Sequence, residues 1–199
     1  NGGQACNSSK RMIVADSVYD EFLTEFTAAM SGYTTGDPTD PATSYGPMSS
    51  EQAAVNLTAQ VDDAVSMGAN VHLGGHRVDR PGSFFEATVL SGVTPEMRAY
   101  REELFGPVAV VYKVSADDEA VHLANVVDFG LGGAVWSTDE ERAVNVAEQL
   151  EVGMANVNTP AGEGADLPFG GTKRSGFGRE LGPLGIDEFV NKRLFYVEK

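Results

Sequence analysis

The chain has 199 residues, 42% hydrophobic and 22% charged, with a formal net charge of −15 and a single cysteine. That length suits one domain with a substantial core, and no apolar run reaches bilayer-spanning length. The acidity is spread along the chain, which argues against nucleic acid and anionic membrane surfaces as partners, since both select clustered Lys and Arg.

From Asn1 onward the opening lacks the basic and apolar regions of a secretory signal. RMIVA (Arg11 to Ala15) predicts a strand, and Asp16 or Ser17 can cap the helix that follows. Tyr19, Phe22, Leu23, Phe26 and Met30 recur at helical spacing up to Gly32. GYTTGDPTDPATSYGPM reads as loop. Ser49 and Gln52 form a capping box for a helix running to Met67 and ending at Gly68. NVHLGG, FFEATVL (Phe84 to Leu90) and VAVVYKV (Val108 to Val114) predict strands, the last apolar enough for burial on both faces. Ser115 caps a predicted helix to Val127, GAVWS is strand, Thr138 or Asp139 caps a helix to Leu150, and MANVN is strand. A Gly-rich stretch from Thr159 to Gly178 precedes a short helix (Gly182 to Phe189) and a last strand, RLFYVE. The alternation predicts an α/β fold: a largely parallel twisted sheet with helices on both faces and active-site residues at the carboxyl ends of its strands. The final strand, at 191–199, is expected to extend from a domain at 1–190 and pair with a sheet edge or a second copy.

Three stretches can carry chemistry. Cys6 lies among Gly2, Gly3, Gln4, Asn7, Ser8 and Ser9. These make a poor core, and their backbone N–H groups can favour a thiolate and hold an oxyanion. A buried structural thiol is the alternative. In REELFGPVAV, Glu102 and Glu103 precede a buried strand; such a carboxylate is either solvated or bonds ligand hydroxyls. In LPFGGTKRSGFGRELG, Gly176 and Gly178 fail as a dinucleotide fingerprint, because the third glycine is Gly182 and no strand precedes them. The loop fits better as a pocket wall around Phe169 and Phe177. No metal site is expected: His72 and His76 are separated by Gly74 and Gly75, and His122 stands apart. A lone cysteine forms no internal disulfide and fits a reducing, cytoplasmic compartment. No GxSxG or Walker-type motif is present.

Taken in register, NGGQAC, GDPTDPATSYGPM, EELFGPV, ANVVDFGLGGAVWSTD, GMANVN and PFGGTKRSGFGRELG resemble the aldehyde dehydrogenase superfamily across essentially the whole chain. The resemblance implies the catalytic domain of an NAD(P)-dependent enzyme plus its C-terminal strand. It makes Cys6 the nucleophile, whose thiohemiacetal is oxidised to a thioester and hydrolysed, with the Cys6 N–H helping to hold the oxyanion. It places Glu103 and Phe105 at the nicotinamide ribose, and Asn158, Thr159 and Phe169 around the substrate, with the loop from Thr159 to Leu167 tuning substrate choice. It implies a homo-oligomer. It also implies that the nucleotide-binding domain, the general base and the choice between NAD and NADP lie outside this chain, leaving the chain alone inactive. With Asn7, Ser8 and Ser9 after the nucleophile, the neighbouring-cysteine switch of some relatives is absent. FFEATVL, AEQLEVGM and GIDEF look most like the succinate-semialdehyde branch. Glu163 and Asp166 in the pocket loop oppose an anionic substrate, while Lys173 and Arg174 lie nearby in sequence. The competing readings are a non-catalytic binding or assembly domain of the same fold and a Cys-dependent hydrolase.

Overall fold

The apolar run Val108–Val114 forms an interior strand of a four-stranded sheet in the computed structural model, which describes residues 1–162 and 164–199. This sheet belongs to the first of two units, Asn1–Val127 and Asp128–Lys199, a boundary not evident from the sequence. Its elements in chain order are β1 (Arg11–Ala15), α1 (Tyr19–Ser31), α2 (Glu51–Ser66), β2 (Asn70–Leu73), β3 (Thr88–Ser91), α3 (Arg98–Arg101), β4 (Val108–Val114) and α4 (Asp117–Asn125). The strand order is β1-β4-β3-β2. β4 pairs in parallel with β1 (Arg11 opposite Val110) and with β3 (Thr88 opposite Val108), while β2 runs antiparallel on the edge.

The period-two alternation of β4 divides the core. Val108, Val110, Tyr112 and Val114 pack with Leu57 and Val61 of α2, Tyr100 of α3 and Leu123 of α4. Val111 joins Val14 and Val89 on the opposite face, where Tyr19, Phe22, Leu23, Phe26 and Met30 of α1 cover them. Helices therefore lie on both faces of the sheet, and the helical spacing read from the sequence is the stripe that α1 buries.

Several local details differ from expectation. Ser50, not Ser49, caps α2: its hydroxyl accepts from the Ala53 N–H, while Gln52 donates to Asn56. Asp16–Val18 form a 3-10 turn, and neither Asp16 nor Ser17 caps α1 through its side chain. At α4 the N-cap is Ala116, and the Glu119 carboxylate reaches back to accept from the Ser115 N–H and hydroxyl, which holds its pKa down. The predicted strand at Phe84 to Leu90 begins only at Thr88, because Phe85 is limited to an isolated bridge with Arg77.

The second unit contains β5 (Phe129–Gly130), β6 (Gly132–Val135), α5 (Glu140–Ala147), β7 (Met154–Val157), β8 (Thr172–Lys173) and α6 (Gly182–Asp187). β6 and β7 are parallel and joined through α5, whose cap, Asp139, accepts from the Arg142 N–H as expected. β5 and β8 pair antiparallel. RLFYVE forms no strand within the single chain, since a strand needs a partner for its backbone groups. Leu194, Phe195, Tyr196 and Val197 are all at least 66% exposed.

Candidate active site

The residues ahead of β1 fold into a tight turn. Gln4 N–H donates to the Asn1 carbonyl and Ser8 N–H to the Ala5 carbonyl. The Gln4 side chain ties this turn to the segment before α2: its amide nitrogen donates to the Pro47 carbonyl (3.2 Å), and its oxygen accepts from Ser49 N–H (2.7 Å). Gly3, at φ +71°, lies so close to the Gly106 carbonyl that a Cβ there would overlap it. The glycine of the motif is thus required by contact as well as conformation. Cys6 is exposed on this turn, not buried as a structural thiol. Its N–H has no protein acceptor among the described residues, leaving that donor available to a ligand.

Because β1 and β4 are parallel neighbours, the segments leading into them start side by side. Cys6 precedes β1, and Glu103 and Phe105 precede β4. These residues therefore gather at the amino ends of the strands, opposite to the carboxyl-end expectation. The two consecutive glutamates separate. Glu102 bonds Arg98 and the Gln60 amide, and Arg98 is the main cause of its lowered pKa. Glu103 faces Lys10 instead, with Nζ 3.7 Å from Oε1. Lys10 Nζ also donates to the carbonyls of Ala5 and Ser8, both at 3.1 Å, and sits 5.1 Å from the centre of the Phe105 ring. The Lys10 side chain is 9% exposed and that of Glu103 37%. Burial lowers the Lys10 pKa, opposed first by Glu103 and more weakly by Cys6. Glu103 keeps acceptor capacity for a hydroxyl-bearing ligand, and the exposed Phe105 ring shares Lys10 with it as a neighbour.

The next residue after Lys10 serves the fold. The Arg11 guanidinium donates to the Tyr100 carbonyl (2.6 Å) and the Leu123 carbonyl (2.8 Å) and lies over the Tyr112 ring. Burial pushes the Tyr112 hydroxyl up to about 12.

In the second unit, Phe169 lines a cleft of about 1030 Å³ with Phe177, Leu181 and Ile186. Asn158 and Thr159 are not among its lining residues. Asn158, at φ +54°, engages Ser137 with both amide atoms, which joins the ends of β6 and β7. Thr159 donates to the Ala161 carbonyl. Lys173 pairs with Glu151 (2.6 Å) and Arg174 with Asp128 (3.8 Å), so both cations have local carboxylate partners. Asp166 lines the cleft, whereas Glu163 lies outside the described residues. Among the described residues, no group of three or more His, Cys, Asp or Glu side chains is placed to hold a metal ion. His72 bonds Ser91 and His76 faces Glu86.

Residues 1–194 match the aldehyde dehydrogenase family. The chain belongs to this family. A succinate-semialdehyde dehydrogenase (NADP+) of Deinococcus radiodurans is 57% identical over 194 residues, covering 98% of this chain and 41% of the relative. One from Mycobacterium tuberculosis is 43% identical, covering 99% and 43%. Among solved structures, succinic semialdehyde dehydrogenase from Streptococcus pyogenes, in complex with NADP+ as the cofactor, superposes with a TM-score of 0.93 at 42% identity, covering 100% of this chain and 44% of that one. A betaine aldehyde dehydrogenase from Staphylococcus aureus in complex with NAD+ gives 0.89 at 36% identity, covering 94% and 38%. The chain thus spans about two fifths of the length of the relatives it matches.

Within this family member, Lys10 and Gln4 are the site residues that sequence reasoning missed. Lys10 follows Cys6 by four positions, but only the parallel pairing of β1 with β4 brings it to Glu103. Gln4 belongs to the cysteine motif, but its attachment to Pro47 and Ser49 depends on tertiary structure.

Proposed function

We propose that the complete protein carrying this chain oxidises succinate semialdehyde to succinate with NADP+, using Cys6 as nucleophile. The observation that carries this reading is the exposed Cys6 thiol on a turn linked through Lys10 to Glu103. The relatives supply the substrate and cofactor class. Cys6 Sγ bonds to the aldehyde carbon while the carbonyl oxygen takes the displaced electron pair, held in part by the Cys6 N–H. Oxidation leaves the acyl group on Cys6 as a thioester, and water releases the carboxylate and restores the thiol. Bound NADP+ supplies the two-electron acceptor for this chemistry. Glu103 would accept from its ribose hydroxyls, and Phe105 would pack beside its ring.

The decisive measurement is kcat/KM of the complete enzyme with NADP+, for succinate semialdehyde against butanal. A preference of at least about tenfold for the acid is expected, since recognising a charged group discriminates more sharply than apolar fit. Equal values would remove the carboxylate-specific reading, and no NADPH formation with either would remove the dehydrogenase reading.

We also infer a homo-oligomer in which residues 191–199 pair with a second copy, supported by the exposed apolar side chains of a segment without a partner strand. Deleting 191–199 from the complete protein is expected to reduce its mass in solution by light scattering; an unchanged mass counts against this pairing. The single cysteine, left as a free thiol, supports a cytoplasmic assignment.

A further inference from the structure

We propose that Lys10 is a positioning residue that fixes the nucleophile turn and the cofactor-binding carboxylate in one register. This rests on the reading that Glu103 binds the cofactor ribose. A lysine ammonium has three donors and no acceptor. Two are directed at carbonyls on either side of the nucleophile, Ala5 one residue before Cys6 and Ser8 two after it. In the remaining direction lies Glu103, at 3.7 Å, with the Phe105 ring beside it. One side chain immediately before β1 thereby touches both pieces of machinery, which belong to chain segments almost a hundred residues apart.

The Lys10 side chain is largely buried while Glu103 is exposed, so its firmest contacts are the two carbonyl bonds rather than the ion pair. Exposed pairs are screened and contribute little, whereas charge-assisted bonds made by a side chain only 9% exposed hold their geometry. If a neutral side chain replaced Lys10, the Ala5 and Ser8 carbonyls would lose their donor and Glu103 its counter-charge. The carboxylate would then be free to turn toward solvent, and the turn carrying Cys6 would lose a brace. Lys10 does not touch the reacting atoms in this account; it acts through Glu103 and through the backbone around Cys6.

The test is a double-mutant cycle on the complete enzyme, reading the Kd for NADP+ by calorimetry. Glu103→Gln is expected to weaken binding about tenfold, and Lys10→Met by a similar factor. The double variant should be within about twofold of either single variant, because both remove the same arrangement. Losses that multiply, or a folded Lys10→Met with Kd within twofold of the parent, overturn the proposal. If Glu103→Gln alone leaves the Kd unchanged, the assignment of Glu103 to the cofactor fails, and the positioning role fails with it. Lys10→Arg keeps the charge and decides the case if the methionine variant does not fold. A Kd within about threefold of the parent supports the proposal, and a loss as large as that of Glu103→Gln overturns it. A simple packing role for Lys10 would lower stability in both backgrounds without this dependence on Glu103.

Discussion

Replacing Cys6 with serine in the complete enzyme is expected to lower kcat/KM for aldehyde oxidation by more than about a thousandfold while leaving stability within about 0.5 kcal/mol. The asymmetry follows from where the thiol sits. Cys6 is exposed, forms no disulfide and belongs to neither apolar cluster of the first unit, so removing its sulfur removes no core contact. A serine hydroxyl fits the same turn, whose form depends on backbone bonds, the Gln4 amide and Lys10. What is lost is the nucleophile: a hydroxyl ionises far less readily than a thiol and has no base among the residues bonded to this turn. NADP+ affinity should stay within about twofold of the parent, because Glu103, Phe105 and Lys10 are untouched. Activity in Cys6→Ser above a tenth of the parental value would show that another group attacks the aldehyde. Loss of cofactor binding in parallel would show that the serine disturbs more than the nucleophile.

The fold was legible where a single periodicity decides the outcome. The stripe Tyr19, Phe22, Leu23, Phe26 and Met30 specifies a helix with one buried face, and that face covers Val14, Val89 and Val111. The run Val108–Val114 reads as a strand covered on both sides, and the two apolar clusters lie on its two faces. Helix starts were less legible, because adjacent serines compete for one cap and backbone geometry chooses between them. Ser50 caps α2 while Ser49 donates its N–H to Gln4. At the site, sequence motifs selected Cys6, Glu103 and Phe105, but composition alone did not separate Glu103 from Glu102. That distinction is made by Arg98 one helical turn before Glu102 and by Lys10 on the neighbouring strand's lead-in. The general rule placing sites at carboxyl ends of strands does not select these residues, which lead into two parallel neighbours rather than out of them. In the second unit, Phe169 lines a cleft as a loop aromatic between Pro168 and Gly170, whereas the Asn158 amide is engaged by Ser137, a partnership with no sequence signal.

Gly3→Ala should reduce kcat of the complete enzyme about a hundredfold, although it changes no group with chemistry of its own. Gly3 adopts φ +71°, where an L residue costs about 1–2 kcal/mol, and its Cβ would overlap the Gly106 carbonyl. Neither side of that contact yields easily. Gly106 N–H is bonded to the Leu104 carbonyl, and the Gly106 carbonyl accepts from Val108 N–H at the start of β4. Behind Gly106, Leu57 and Met48 fill the space that it would need to retreat. The cysteine turn must therefore move away from the segment carrying Glu103 and Phe105. A displacement of about 1 Å between reacting groups is enough for a hundredfold loss of rate. Gly68→Ala supplies the control: Gly68 also has a positive φ, +104°, but a Cβ there meets nothing within 4 Å, so it imposes backbone strain at the end of α2 without pushing on the site. Its activity should remain within about twofold of the parent, and both variants should keep Cys6 accessible to iodoacetamide. If Gly3→Ala retains more than a third of parental kcat, or Gly68→Ala loses as much as Gly3→Ala does, then the close approach of Gly3 to Gly106 does not set the position of the nucleophile.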